Sequence, residues 1–389
     1  MNRIDELINR LCPGGVEYKR MGEVGEFVRG HGLQKKDFTE SGVGCIHYGQ
    51  IYTYYGTFTH ETKSFVHPEL AKKLKKVQQG DLVIASTSEN LEDVCKTVAY
   101  LGNDEIVTGG HATIFKHNQN PKYLAYLTQT DLFFDQKVKL AKGIKVIDVS
   151  ARDMSKIQIP IPPLEIQNEI VSILDKFTLL EAELEAELEA RKKQYEHYRN
   201  ALLSFEGKNV EWKTLGEVCN LKAGKSISSY DISNTETEDH TYPCIGGNGL
   251  RGFVKTFSHD GEYPVIGRQG ALCGNIFYAQ GKFYATEHAV IVTSREKLLP
   301  RFLFHLLTIM NLNQYATGGA QPGLSVSKLN ELKIAIPSMN EQKEIITILD
   351  KFDALVNDIS IGLPAEIKAR RKQYEYYRNR LLSFKKRIN

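Results

Sequence analysis

Ile161-Pro162-Pro163-Leu164-Glu165-Ile166-Gln167, running on to Ile173-Leu174-Asp175-Lys176-Phe177, returns as Ile336-Pro337-Ser338-Met339-Asn340-Glu341-Gln342 and Ile348-Leu349-Asp350-Lys351-Phe352. Downstream of each copy, Lys193-Gln194-Tyr195-Glu196-His197-Tyr198-Arg199-Asn200 reappears as Lys372-Gln373-Tyr374-Glu375-Tyr376-Tyr377-Arg378-Asn379. Upstream, Val16-Glu17-Tyr18-Lys19-Arg20-Met21-Gly22-Glu23-Val24 matches Val210-Glu211-Trp212-Lys213-Thr214-Leu215-Gly216-Glu217-Val218, and the same register carries Gly30 onto Gly224. His111-Ala112-Thr113-Ile114 is similar to His288-Ala289-Val290-Ile291, and Pro121-Lys122-Tyr123-Leu124 to Pro300-Arg301-Phe302-Leu303. A long-period internal repeat decides an architecture before any local pattern does. One unit, a variable module followed by a constant segment, occurs twice.

The constant segments are expected to be long helices. Pro162 and Pro163 suit a helix start. The stretch from Leu164 to Phe205 then contains no Gly or Pro and is rich in Glu, Ala, Leu, Lys and Gln, all good helix formers. Ile166, Ile170, Ile173, Leu174, Phe177, Leu180, Leu184 and Leu188 fall at spacings of three and four, an apolar stripe that needs cover. Ile345, Ile348, Leu349, Phe352, Leu355 and Ile359 lie on the corresponding face of the second copy. The expectation is an antiparallel coiled coil between the two segments, with Ile170, Leu174, Phe177 and Leu184 facing Ile345, Leu349 and Phe352; helices of another protein are the alternative cover. The second segment carries four extra residues around Gly362-Leu363-Pro364, where the helix should kink or break. The first contains the tandem Glu181-Ala182-Glu183-Leu184 and Glu185-Ala186-Glu187-Leu188.

The 389 residues suit two to three domains, and 10% aromatics with 41% apolar residues exclude a disordered tail. The resulting fold class is α+β, divided into a first module at residues 1–163, a central helical spacer at 164–206, a second module at 207–338 and a C-terminal helical spacer at 339–389. The longest apolar stretch, near Leu298 to Met310, is broken by Pro300, Arg301 and His305, and falls short of the roughly 18 residues a membrane span needs. The first residues lack the apolar block of a secretory signal, so a cytoplasmic location is expected. The six cysteines, Cys12, Cys45, Cys95, Cys219, Cys244 and Cys273, show no metal-type or redox spacing and are expected to be inert, reduced thiols. A formal net charge of +3 is too small to hold DNA through phosphate neutralisation unaided.

Both modules alternate short apolar runs, such as Leu82-Val83-Ile84-Ala85 and Val265-Ile266-Gly267, with loops rich in Gly, Ser, Thr, Asn and basic residues. Such loops can present bidentate donors and acceptors to base edges and backbone amides to phosphates. The candidates in the first module are Arg29, His31, Gln34, Lys35, Lys36, Gln50, Ser88 and Asn90. In the second they are Lys222, Lys225, Ser226, Asn248, Arg251, Arg268, Gln269 and Gln321. His111 and His288, at equivalent places before apolar strands, are read as structural hydrogen-bonding residues ahead of base contacts. Gly247-Asn248-Gly249-Leu250-Arg251-Gly252 fits a dinucleotide-fold pattern, but a strand, not a helix, should follow it. Gly224-Lys225-Ser226 ends like a P-loop whose required earlier glycine is Cys219. No nucleophile pairs with either histidine, and no nuclease or amino-methyltransferase motif is present; the chain is expected to be non-catalytic and to bind no metal.

The duplicated plan resembles the specificity subunit of type I restriction-modification systems. The residues carrying the resemblance are 161–167 running into Ile170-Val171-Ser172-Ile173-Leu174-Asp175, their second copy up to Asp350, and Gly319-Ala320-Gln321-Pro322-Gly323-Leu324-Ser325 ahead of it. The second copy departs slightly, with Ser338 for the second proline and Asn340 for Glu165. The resemblance implies that each module reads one half of a split double-stranded DNA target, and that the helices set the distance between halves and bind two modification subunits. It also implies that those partners methylate adenine with S-adenosylmethionine, and that restriction subunits using ATP and Mg cut DNA, so this chain itself binds no cofactor. A stand-alone DNA-binding regulator is the alternative, told apart by tight operator binding without partners; a structural adaptor is a weaker one.

Overall fold

The computed structural model describes residues 2–270, 272–295, 297–318 and 322–387. The chain divides into two compact units, Met1–Glu183 with Ile367–Asn389, and Leu184–Glu366.

The first unit is built on a five-stranded sheet. Its strands are β1 (Gly25–Arg29), β2 (Phe58–Thr59), β3 (Leu82–Ala85), β4 (Thr97–Tyr100) and β5 (Ala112–His117), in the order β1-β5-β3-β4-β2. All neighbours are antiparallel except the final β4–β2 pair. β3 and β4 are buried along their whole length, which is why they read as unbroken apolar runs rather than alternating ones. A second sheet places Val43–His47 parallel to Ile106–Gly109. Helix α1 (Pro121–Leu127) follows β5; Asn120 caps it, its side chain accepting the Tyr123 N–H, as N-cap asparagines do.

The second unit repeats this order. Its strands are β6 (Cys219–Ala223), β7 (Tyr242–Gly246), β8 (Gly249–Val254), β9 (His259–Gly267), β10 (Ile276–Ala285) and β11 (Ala289–Ser294), arranged β6-β11-β9-β10-β7-β8, again with one parallel pair, β7–β10. The dinucleotide-like glycine run is the tight connection between β7 and β8, and strand follows it as expected. Gly30 and Gly224 occupy matching places: each donates its N–H to the alanine after the paired histidine, Ala112 O at 2.8 Å and Ala289 O at 3.0 Å.

The helices bear out the predicted rods and add each rod's own module to the cover of its apolar stripe. α2 (Leu164–Leu203) is continuous over 40 residues, about 60 Å of helix. α3 (Pro300–Ile309) lies in the second module; α4 (Met339–Asn357) and α5 (Leu363–Leu381) are separated by a turn at Gly362, with Pro364 at the second position of α5. The helix break expected there is real, and it leaves Ile359 in the turn, outside any helix. Ile170 and Leu174, expected to face the other rod, lie in the first unit's core, which joins Tyr123, Leu124 and Leu127 of α1 with Tyr374 and Leu381 of α5. Ile345 and Leu349 are likewise in the second unit's core, with Phe302, Leu303 and Leu306 of α3 and Tyr195 and Leu203 of α2, while Leu184 is only half-buried and belongs to neither core. An apolar stripe shows which face must be covered, not what covers it.

Ring and charge contacts between the rods are crosswise. In the first unit Phe177 stacks on Tyr377 at 5.5 Å and packs on Tyr374 at 6.3 Å, and Glu181 pairs with Arg371. In the second, Phe352 meets Tyr198 at 5.4 Å and Tyr195 at 6.2 Å. Moving from Phe177 to Glu181 lowers the partner number from 377 to 371, so the helices run antiparallel. The same latch holds each rod to its own module. Asp175 accepts from Lys122 Nζ and the Tyr126 hydroxyl, both at 2.7 Å; Asp350 accepts from Arg301 Nε at 2.7 Å and pairs with His305 Nε2 at 2.8 Å. Gln167 and Gln342 complete the symmetry, accepting the N–H groups of Asn120 and Leu299 and donating to Pro162 O and Pro337 O.

Candidate nucleic-acid interface

In the first module three of the predicted loops converge. Gln34 and Lys35, from the turn after β1, share the lining of a cleft of about 340 Å³ with His47, Tyr48 and His111. His47 ends a strand of the second sheet, is buried, and accepts the Gly49 N–H on Nδ1 at 3.1 Å. Burial first, then the nearby charges of Lys35 and His111, lower its pKa, so the ring is neutral at pH 7 with its proton on Nε2. His111 is exposed and packs edge-on against Tyr48 at 5.0 Å. The cleft thus offers an amide, an ammonium, an imidazole and an aromatic ring side by side, the kinds of group that meet base edges. Arg29, at the end of β1, and His31 and Lys36, on the turn that follows, are exposed.

Other first-module candidates are diverted. Gln50 is buried, with its carbonyl accepting the His47 N–H at 3.1 Å and its amide donating to Ser64 Oγ at 2.6 Å. Both polar ends are spent inside the fold, so the structure withdraws Gln50 from the candidates. Asn90 is exposed but closes a turn, accepting the Asp93 N–H at 2.7 Å and donating to the Asp93 carboxylate at 2.9 Å. Ser88 is half-buried on a short strand, Thr87–Ser88, that pairs with Ile147–Asp148.

The second module gathers its candidates at the matching end of its sheet. Lys222, Lys225 and Ser226 are exposed at and after the end of β6, Asn248 in the β7–β8 turn, and Arg251 on β8. Gly224 must be glycine, since a Cβ there would lie 2.2 Å from Ala285 O. Arg268 follows β9 half-buried, and the exposed Gln269 bridges to Gly323. Gln321 lies outside the described residues. Sequence reading missed Thr286 and Glu287, which join Arg268 and His288. Arg268 Nε, Thr286 Oγ1, Glu287 Oε2 and His288 Nδ1 are all buried atoms without a hydrogen-bond partner among the described residues. Such atoms are rare in folded proteins and each costs about 1–3 kcal/mol. Four in one loop cluster mark a surface that expects a polar ligand.

His111 and His288 make structural hydrogen bonds through their backbone carbonyls, His111 O accepting from Ser86 N–H at 2.8 Å and His288 O from Arg268 N–H at 2.9 Å; the His111 ring is exposed, and the half-buried His288 ring has Nε2 3.4 Å from Glu287 Oε1. The cysteines are all free thiols, and all but Cys12 are buried; burial pushes Cys45, Cys95 and Cys219 up to about 12, which makes them poor nucleophiles. Among the described residues no group of three or more His, Cys, Asp or Glu is placed to hold a metal, and no helix is long and apolar enough to cross a membrane.

Comparison with known proteins bears directly on this duplicated plan. The family model described as the type I restriction modification DNA specificity domain matches residues 13–190 and again 207–369. The chain is 45% identical over 290 residues to the type I restriction enzyme EcoprrI specificity subunit of Escherichia coli, covering 72% of each chain. It is 38% identical over 266 residues to the EcoR124I/EcoR124II specificity subunit of the same species, covering 61% of this chain and 65% of that one. Among solved structures, the type I restriction-modification S subunit from M. genitalium shares the fold at 15% identity with a TM-score of 0.59, over 95% of this chain and 96% of that one. A chain from a structure described as the basis of complex assembly and conformational transition in the type I R-M system gives a TM-score of 0.62 at 18% identity, over 95% and 97%. With two matched copies of its model covering most of the sequence, the chain belongs to the type I restriction-modification DNA specificity family.

Proposed function

We propose that this chain is the non-catalytic DNA-reading subunit of a type I restriction-modification complex, in which each module reads one half of a bipartite, asymmetric target. The observation that carries this reading is the cluster of four unpartnered buried polar atoms at Arg268, Thr286, Glu287 and His288, at the sheet end where the first module has its Gln34–Lys35–His111 cleft. Because the two loop sets differ in residue while sharing a scaffold, the two half-sites differ. The α2, α4 and α5 rods fix the gap between half-sites and dock two modification subunits. Those partners bind S-adenosylmethionine and methylate adenine, and restriction subunits with ATP and Mg cut the DNA, so the chain works in the cytoplasm beside the chromosome.

The test is to replace residues 207–338 by the corresponding module of a relative and map methylated adenines by single-molecule sequencing. One half of the recognised site should change while the other half stays. Methylation at the original sites after the exchange would refute the reading.

A further inference from the structure

The loop cluster of the first module has a member that the sequence gives no reason to choose. The second module has two backbone bonds here, Thr317 N–H to Gly323 O at 2.9 Å and Leu324 N–H to Arg268 O at 2.8 Å. The first module repeats them, with Lys142 N–H to Asp148 O at 2.9 Å and Val149 N–H to Ser86 O at 3.0 Å. Ser150 and Ser325 then cap equivalent short helices, accepting the N–H groups of Asp153 and Lys328. Residues 142–148 are therefore the counterpart of residues 317–323. Between the shared Gly143/Gly318 and Ser150/Ser325 pairs the two sequences have no residue in common.

This loop is firmly based. Gly143 has φ +107°, and a Cβ there would lie 2.0 Å from Val146 O, so the turn requires glycine. Lys142 Nζ is tied to Asp153 at 2.9 Å, and Asp153 is held further by Lys156 at 2.6 Å and the Ser150 hydroxyl at 2.9 Å. At its tip Ile144 is 97% exposed, next to the exposed Lys145 and ahead of Val146 at 58%. Isoleucine is among the residues most often found inside proteins, and here it is held out in water on an anchored turn.

We propose that residues 142–148 form a DNA-contacting element of the first module, with Ile144 making an apolar contact with a base of its half-site and Lys145 meeting a neighbouring phosphate. Isoleucine can meet a thymine methyl in the major groove or wedge against a base step in the minor groove. Double-stranded DNA is the occupant because a cation flanks the apolar tip and because the loop is tied to the candidate interface through Ser86, whose O accepts the Val149 N–H at 3.0 Å and whose N–H donates to the O of His111, a residue of the cleft, at 2.8 Å. The proposal rests on the reading of the chain as a DNA-specificity subunit.

The experiment uses the full chain assembled with its modification subunits and a duplex carrying the mapped target. Ile144→Ser should weaken target binding about tenfold and relax discrimination at one position of the first half-site, leaving the second half-site intact; Ile144→Leu should retain both. Lys145→Ala should weaken target and unrelated duplexes alike and lower the slope of log affinity against log salt by about one. Unchanged affinity and an unchanged methylation map for Ile144→Ser would overturn the proposal. So would loss of subunit assembly in the absence of DNA, which would make the tip a protein contact. Failure of the underlying reading is separate, and would show as no target preference in the unaltered complex.

Discussion

His117 shows how burial sets chemistry at a single residue. It ends β5, its Nδ1 accepts the Gln119 N–H at 3.2 Å, and its Nε2 is buried without a partner among the described residues. Burial lowers its pKa to about 4, against the opposing pull of Asp81. The unfolded chain takes up a proton below about 6.5 while the folded one does not, so the folded state loses stability as pH falls from there towards 4. The loss approaches roughly 3 kcal/mol at the low end. His117→Gln should flatten the fall in urea midpoint between pH 6.5 and pH 4; an equally steep fall in the variant would remove His117 as its source.

At the scale of elements, the recurring device is a carboxylate that pins a long helix to the short helix of its own module. Asp350 of α4 engages Arg301 and the almost fully buried His305 of α3; Asp175 of α2 does the same with Lys122 and Tyr126 of α1. Removing one partner from a buried hydrogen-bonded group costs about 1–3 kcal/mol. Asp350→Ala should therefore lower the unfolding free energy of the full chain by about 1–3 kcal/mol, read as a lower urea midpoint with little change in slope, since the surface exposed on unfolding is unaltered. The sequence displayed both motifs as Ile-Leu-Asp-Lys-Phe but not their meaning, because the partners lie 45 to 53 residues away. The same distance hid part of the helix packing: Phe177 and Phe352 meet the other rod, while Ile170, Leu174, Ile345 and Leu349 of the same stripe sit in cores that combine module residues with residues of the other rod.

For the whole molecule, the consequence of the proposed function lies in rod length. The boundary between the compact units falls at Glu183 and Leu184, within the tandem Glu-Ala-Glu-Leu repeat of α2. Adding or deleting one such unit changes the helix by about one turn, roughly 6 Å, close to two base-pair steps. The gap in the methylated target should shift by about one or two base pairs with both half-sites retained; the old gap in the altered strain's methylome would defeat the idea.

By itself the sequence determined the duplication, the two long helices and their break at Gly362-Leu363-Pro364, and the α+β class, because each rests on local composition, periodicity or plain repetition. It also singled out most of the candidate loops, since Gly-rich basic turns between apolar runs are visible without contacts. Only tertiary structure decided that Gln50 is spent internally, that Thr286 and Glu287 join Arg268 and His288 in an unsatisfied cluster, and that residues 142–148 answer to residues 317–323. Those facts turn on which polar groups the fold pairs and which it leaves without a partner, and neither residue type nor spacing encodes which group will be there to accept or donate.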